Sequence, residues 1–209
     1  MRKTIWSAAL ALLIIAAGLA GTLGAQNQDD QQDVAWLIEV LHAKPGSVVA
    51  DIGAGTDALL TIPMARHVGA SGRVYATEIG TESLEKLKAV IEKAGVGNVE
   101  VVAGDPSKTN LAPDCCDAIF IRYVYHHFAD PPAMNASLRE ALKPGGVLAI
   151  IEFAPRGREA PTPAERAGGD AHGIGAESIV RELKSAGFEL ISSEQRPDRI
   201  VRVVARKPR

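Results

Sequence analysis

The stretch Val49-Ala50-Asp51-Ile52-Gly53-Ala54-Gly55-Thr56 predicts a buried strand that runs directly into a glycine turn. Glycines at such a turn let the backbone approach a ligand and adopt torsion angles that other residues avoid. The spacing Gly53-x-Gly55-x-x-Ala58, with Glu78 placed 25 residues after Gly53, also satisfies the fingerprint of a dinucleotide site. The turn therefore predicts a ligand at the strand end and leaves the kind of ligand open.

Asp51 distinguishes between the ligands that this turn can hold. A dinucleotide site presents amide groups and a helix N-terminus to a doubly charged pyrophosphate, which a carboxylate two residues before the first glycine would repel. S-adenosylmethionine has no phosphate and carries two cationic groups, a sulfonium and an ammonium, so an acid here favours it. Asp57 adds a second acid at the same turn. The alternative is that Asp51 only caps the following helix.

Apolar, β-branched runs alternate with helical patterns along the middle of the chain. The predicted strands are Val48–Ala50, Val74–Ala76, Val99–Ala103, Ala118–Ile121 and Val147–Ile151, and the predicted helices between them are Ala58–Val68, Glu82–Ala94 and Pro132–Leu142. This alternation indicates an α/β fold with a parallel sheet covered by helices on both faces.

The end of the chain departs from this alternation. The segment Arg156–Gly175 has the composition of a surface loop or lid, and a helix is predicted at Ala176–Ala186. The strand-like runs Phe188–Ser192 and Arg199–Ala205 are separated by a short polar turn. Because a parallel return needs a long crossover, these two strands must be antiparallel neighbours.

The N-terminus predicts an export or anchoring segment. Arg2 and Lys3 precede an apolar run that ends in small residues near Ala25, which is the layout of a secretory signal peptide or an uncleaved membrane anchor. We therefore divide the chain into a leader (1–25), a polar linker (26–32) and a folded domain (33–209). The positive residues before the apolar run predict that this domain lies outside the cytoplasm, exported or periplasmic, with the membrane contacted only through the leader.

Composition excludes several classes of partner. A net charge of −2 offers no electrostatic basis for nucleic-acid binding, which favours a small-molecule substrate. The two cysteines, Cys115 and Cys116, are adjacent, so they are too few for a metal cluster and poorly placed for a disulfide.

Further candidate site residues follow the other strands. Glu78 ends the second strand, where its carboxylate can accept hydrogen bonds from two ribose hydroxyls, and Ile79 can pack against adenine. Asp105 follows the third strand and can accept from the adenine amine. His126 and His127 follow the fourth strand, and one of them is a candidate catalytic base or substrate orienter. The alternative is that at least one of the two packs beneath the loop in a structural role. We predict no metal site, because adjacent residues on a strand point to opposite sides.

These motifs together resemble the class I S-adenosylmethionine-dependent methyltransferases, in particular the small-molecule branch that includes ubiquinone/menaquinone-biosynthesis-type enzymes. The resemblance covers about Asp33 to Lys207 and includes Leu142-Lys143-Pro144-Gly145-Gly146. It implies a Rossmann-like, doubly wound, seven-stranded sheet, mostly parallel, whose last strand is inserted antiparallel.

The resemblance also implies roles for individual residues. The cofactor S-adenosylmethionine would contact a set of residues at the strand ends: Asp51, Gly53, Gly55, Glu78, Ile79, Asp105 and Arg122. The substrate would contact Tyr125, Glu152 and the segment around His172. Methyl transfer depends mainly on positioning, so a dedicated base is optional.

Three functions are compatible with these features. The first is methyl transfer from S-adenosylmethionine to a small-molecule acceptor. The second is a catalytically silent, exported binding module that keeps the fold. Asp57 favours this function, and so does the location, because an exported domain is separated from the cytoplasmic supply of the cofactor. The third is a nicotinamide-dependent oxidoreductase, which would need pyrophosphate to tolerate Asp51 and Asp57.

Overall fold

Seven strands form one sheet in the computed structural model, which describes residues 28–209. The strand order is β3-β2-β1-β4-β5-β7-β6. Strands β1 to β5 pair in parallel, whereas β7 is antiparallel to both of its neighbours. The bounds are β1 Val48–Ile52, β2 Arg73–Glu78, β3 Val99–Ala103, β4 Cys116–Arg122, β5 Leu142–Phe153, β6 Glu189–Gln195 and β7 Ile200–Arg206.

Helices cover both faces of this sheet. They are α1 (28–40), α2 Thr61–Val68, α3 Thr81–Ala94, α4 Pro131–Ala141, α5 Pro163–Arg166 and α6 Ala176–Ser185, with 3-10 turns at Tyr125–His127 and Gly169–Ala171. Successive residues of β5 face opposite sides: Leu148 packs in the core with α4 and α6, and Ala149 packs in the core with α1 and α2. Burial on both faces explains the continuous apolar runs of the central strands.

The predicted fold class is confirmed. The sheet is doubly wound, the two last strands are antiparallel neighbours, and β7 is inserted between β5 and β6. The start of α2 was predicted three residues too early. Ala58 is fully buried with a φ of +51°, a backbone conformation that a helix cannot contain, so the helix begins at Thr61.

The structure describes residues 28–32 of the predicted polar linker 26–32. These residues form the start of α1. Asp30 and Asp33 of this helix are buried against the sheet edge, where Arg122 pairs with both and Arg202 also pairs with Asp33. The predicted leader at 1–25 lies outside the described residues. Within 28–209, no helix combines the length and the apolar character that crossing a membrane requires.

Candidate active site

The glycine loop after β1 is held against the end of β2 by hydrogen bonds. The Gly53 amide donates to the carbonyl oxygen of Thr77 over 3.0 Å, and the Gly55 amide donates to Oε2 of Glu78 over 2.8 Å. Both glycines have positive φ, +73° and +69°. The predicted loop residues and Glu78 therefore form a single hydrogen-bonded unit at the carboxyl edge of the sheet.

The two glycines differ in the space around them, which gives a matched test of the loop. A Cβ on Gly53 would lie 2.6 Å from Cγ2 of Val124, whereas a Cβ on Gly55 meets nothing within 4 Å. We expect Gly53→Ala to lower the free energy of unfolding by about 3 kcal/mol, from backbone strain plus overpacking. Gly55→Ala adds only the backbone strain, about 1 kcal/mol. Urea unfolding of both variants measures the difference, and equal losses would contradict the role of Val124.

Asp51 is buried within β1 and is only 3% exposed. Its Oδ2 accepts a hydrogen bond of 2.6 Å from the Thr61 hydroxyl. Burial raises the pKa of Asp51 to about 7, although the hydrogen bond from Thr61 acts in the opposite direction. The carboxylate lines a cavity of 180 Å³ on one side of the glycine loop. Near neutral pH the Asp51 carboxyl group can therefore gain or lose a proton, and a bound cationic ligand would favour its ionised form. Thr61 was missed in the sequence, because a single threonine at a helix start carries no distinctive pattern.

Arg122 lines the same small cavity and connects β4 to α1. Its Nη2 lies 2.6 Å from Oδ1 of Asp30, and its Nε donates to Oδ2 of Asp33 over 2.8 Å. Burial opposes its charge, but Asp33 and Asp30 hold the pKa of Arg122 above its ordinary value. The sequence did contain a signal for α1, because Asp30, Asp33, Leu37 and Leu41 recur at the three- and four-residue spacing of one helix face.

A larger cavity of 330 Å³ lies on the other side of the loop, with Gly53 lining both. It brings together three residues predicted for the cofactor, Glu78, Ile79 and Asp105. The Glu78 carboxylate accepts from the amides of Gly55 and Ile79, so two of its four acceptor positions are used. Two remain for a pair of hydroxyls, which fits the ribose of S-adenosylmethionine.

The other two residues of this group also have suitable surroundings. Ile79 is half exposed and presents an apolar surface to the cavity. Oδ1 of Asp105 accepts from both the amide and the hydroxyl of Ser107, which lower its pKa. This local turn keeps the carboxylate ionised at the cavity wall, where it is available to a donor.

Three histidines meet beside this cavity. His126 and His127 lie on a 3-10 turn and not on a strand, so their ring centroids are only 4.0 Å apart. Nε2 of His126 lies 2.9 Å from Nε2 of His172. Their ligand nitrogens all fall within 4.8 Å of one another. The argument that adjacent histidines point apart is therefore wrong, and with it the reason for predicting no metal site.

Glu152 lies behind the histidines and does not reach the cavity. It is fully buried, and its carboxylate accepts from Nδ1 of His126 at 2.9 Å and 3.0 Å. It was predicted to contact the substrate. The structure instead places it against His126, outside the lining of the cavity.

Tyr125 was also predicted to contact the substrate, and this is wrong. Its side chain is 1% exposed and packs in the core against Phe128. The hydroxyl accepts from Asn135 over 2.7 Å and donates to Glu182 over 3.1 Å. Burial raises the pKa of Tyr125 well above its ordinary value, so the hydroxyl stays protonated. The 3-10 turn rotates this residue inward and His127 toward the cavity.

His172 reaches the cluster because of the glycine that follows it. Gly173 has a φ of +117°, and any Cβ there would collide with the carbonyl oxygen of Phe153. The next amide, that of Ile174, donates to the same carbonyl over 2.9 Å. The predicted loop Arg156–Gly175 is thereby joined to the end of β5. It places His172 against the 3-10 turn that contains His126 and His127.

Known proteins with similar sequences are methyltransferases. The methyltransferase domain family matches residues 50–150. The ubiquinone/menaquinone biosynthesis C-methyltransferase UbiE of Vibrio vulnificus is 32% identical over 119 residues, 56% of this chain and 45% of that protein. Phosphoethanolamine N-methyltransferase 3 of Arabidopsis thaliana is 27% identical over 186 residues, 82% of this chain and 34% of that protein. The chain spans less than half the length of these curated relatives.

Solved structures give the same result at the level of the fold. A SAM dependent methyltransferase from Aquifex aeolicus superposes with a TM-score of 0.71 at 25% identity, covering 84% of this chain and 89% of that one. Phosphoethanolamine N-methyltransferase 2 of Haemonchus contortus, solved with S-adenosyl-L-methionine, has a TM-score of 0.69 at 18% identity, covering 86% and 53%. Residues 50–150 therefore carry an S-adenosylmethionine-dependent methyltransferase domain, and the chain has the seven-stranded fold of such enzymes.

Proposed function

We propose that the protein transfers a methyl group from S-adenosylmethionine to a small-molecule acceptor. The observation that carries this proposal is the pair of cavities on either side of the glycine loop, which Gly53 joins. The larger has the acceptor groups for an adenosine, and the smaller has charged groups that complement a methionine. We assign the adenosine to Glu78, Ile79 and Asp105, and the methionyl end to Asp51 and Arg122.

The charges of the smaller cavity support this orientation. Asp51 supplies a carboxylate for the cationic groups of the cofactor, and Arg122 supplies a guanidinium for its carboxylate. Arg122 is held in place by Asp30 and Asp33, so α1 closes this end of the site. A pyrophosphate has no cationic group for the Asp51 carboxylate and would be repelled by it.

The acceptor is assigned to the side of the larger cavity that Val124, His127 and Phe128 line. Bound S-adenosylmethionine supplies an activated methyl group, and the chain contributes by aligning the acceptor and excluding water. Val124 and Phe128 make this wall apolar, with His127 as its polar group. This lining suits an acceptor with an apolar body and one nucleophilic atom.

The test is a calorimetric titration of the full chain with S-adenosylmethionine and S-adenosylhomocysteine, with NAD as the control. We expect both methionine-derived ligands to bind and NAD not to bind. A radiolabelled methyl group is then followed into a panel of small acceptors. Binding without any transfer would favour a silent binding module. The absence of binding by the folded chain would overturn the cofactor assignment.

The pKa of Asp51 predicts how cofactor affinity depends on pH. Below about pH 7 the free protein holds a proton on Asp51, which a cationic ligand must displace. We expect the affinity for S-adenosylmethionine to rise by up to about tenfold per unit as the pH approaches 7 from below. Asp51→Asn should remove this dependence. Calorimetry in buffers of different ionisation enthalpy measures the proton released, and no release below pH 7 would contradict the prediction.

The free energy of unfolding of the cofactor-free protein should depend on pH in the opposite direction, so that it falls as the pH rises. The folded-state pKa of Asp51 is raised above the ordinary value of 3.8, so the folded chain binds the proton more tightly than the unfolded chain. This contribution is fully present below the unfolded-state pKa and is lost as the pH rises through about 7. Chemical unfolding without ligand measures it.

We also propose that residues 1–25 export the domain or anchor it in the membrane, which would make it exported or periplasmic. The charged start, apolar run and small residues of this segment support the proposal. Fractionation of cells and the intact mass of the recovered protein test it. A mass lower by the leader indicates cleavage, an intact mass in the membrane fraction indicates an anchor, and an intact cytoplasmic protein would overturn the proposal.

A further inference from the structure

We propose that His126, His127 and His172 bind a divalent transition metal of the zinc class at the acceptor side of the cavity. Imidazole nitrogens are the preferred neutral ligands of such ions. The ligand nitrogens of the three residues lie within 4.8 Å of one another, which one ion can span with small side-chain adjustments. The residues come from two distant parts of the chain, the turn after β4 and the loop before α6.

Glu152 prepares His126 for this role. Its fully buried carboxylate accepts from the His126 and Phe153 amides, both at 3.2 Å, as well as from Nδ1 of His126. These contacts place the imidazole proton on Nδ1 and leave the lone pair of Nε2 directed toward His172. A carboxylate behind the outer nitrogen is the usual arrangement for a metal-binding histidine, because it holds the ring and its tautomer.

The distance between the facing nitrogens also suits a shared ion. Nε2 of His126 and Nε2 of His172 are 2.9 Å apart. Two nitrogens bound tetrahedrally to one zinc at about 2.0–2.1 Å would be about 3.3 Å apart, so a shift of a few tenths of an ångström suffices. A hydrogen bond between two histidines would satisfy these two atoms alone. It would not account for His127, whose ring lies against His126 at 4.0 Å.

The surroundings hold the cluster in one arrangement. The Phe153 ring contacts the rings of both His126 and His172 edge-on, with centroids 5.0 Å away in each case. Gly173 fixes the approach of His172 to β5. Rigid positioning of this kind reduces the entropy lost when an ion orders its ligands.

Three protein ligands would leave one position of a tetrahedral ion open. His127 lines the larger cavity, so that position would be near the acceptor. A zinc-class ion there would bind a hydroxyl or thiol of the acceptor and lower its pKa, which turns it into a better nucleophile. This step rests on the proposed methyl transfer, whereas metal binding itself does not.

The test is metal binding by the full chain, purified without a polyhistidine tag and stripped of metal by a chelator. We expect one equivalent of Zn²⁺ by competition titration, and a visible absorption band when Co²⁺ is the probe. His172→Ala and His127→Ala should each weaken Zn²⁺ binding at least about 100-fold, and Glu152→Gln about 10- to 100-fold through His126. His42→Asn is the control, because His42 is exposed, distant in sequence and has a left-handed φ of +52° that asparagine tolerates.

Each outcome decides the proposal. Circular dichroism establishes that the variants are folded, and S-adenosylmethionine titration establishes that the cofactor site is intact. Metal binding that is lost in the cluster variants and kept in His42→Asn supports the site, whatever the methyl-transfer assay shows. No Co²⁺ band in the folded wild-type chain, or equal affinity in His172→Ala, would overturn it. A failed cofactor titration with intact metal binding would count against the proposed function alone.

Discussion

Glu78→Gln is expected to lower the affinity of the protein for S-adenosylmethionine about 100-fold. The Glu78 carboxylate already accepts from the Gly55 and Ile79 amides, and we assign its two remaining acceptor positions to ribose hydroxyls. Glutamine replaces one of these oxygens with a donor, which would face either an amide or a hydroxyl. Hydrogen bonds to charged groups contribute about 1.5–3 kcal/mol each, so losing the charge and one acceptor costs about 3 kcal/mol.

Glu82→Gln is the matched control for this experiment. Glu82 lies in the first turn of α3, four residues after Glu78, and its side chain is 83% exposed beside Lys86. We expect the affinity of the Glu82→Gln variant for the cofactor to equal that of the wild type. Calorimetric titration with S-adenosylhomocysteine compares the two variants without turnover. If both bind as tightly as the wild type, Glu78 does not hold the ribose.

Arg122→Met is expected to lower the free energy of unfolding by about 3 kcal/mol. Arg122 contacts both Asp30 and Asp33, and all three side chains are at most 11% exposed. Removing one partner from a buried ionic cluster is strongly destabilising, because the opposite charge stays in a poorly solvated place. Arg202 still contacts Asp33 over 3.1 Å, which limits the loss. The effect should concentrate in α1, where hydrogen exchange would accelerate.

Arg73→Met is the control for this second prediction. The Arg73–Glu100 ion pair has the same chemistry, but its side chains are 55% and 51% exposed. Exposed ion pairs contribute about 0–1 kcal/mol, so this variant should remain close to the wild type. Urea unfolding measures both. Similar losses in the two variants would show that burial does not set the strength of the Arg122 cluster.

Local patterns in the sequence predicted the sheet correctly. A buried parallel strand needs a continuous apolar run, and five such runs alternate with helical patterns. The hairpin of β6 and β7 followed from a connection too short for a crossover. Glycines and acids at strand ends predicted the cofactor edge, because the carboxyl ends of neighbouring parallel strands meet at one side of the sheet. The charge of Asp51 also separated the methyltransferase from the nicotinamide alternative.

Side-chain directions outside the regular strands could not be predicted in this way. Extending β4 through Tyr125-His126-His127 would send the histidines apart, whereas the 3-10 turn brings them together and buries Tyr125. The turn forms because the chain leaves the sheet after Arg122, and Glu152 on the neighbouring strand accepts the His126 amide. That contact joins residues 26 positions apart, and no local pattern reports it.

The sequence by itself determined the α/β class, the antiparallel pair of strands at the end of the chain and the edge of the sheet where the glycine loop and Glu78 lie. These features follow from hydrophobic periodicity, glycine torsions and charge, which act over a few neighbouring residues. Only the tertiary structure decided that α1 closes the site through Arg122 and that His172 joins His126 and His127. Both features depend on contacts between side chains from distant segments of the chain. Where these side chains are buried, their charges and lone pairs interact more strongly than they would in water.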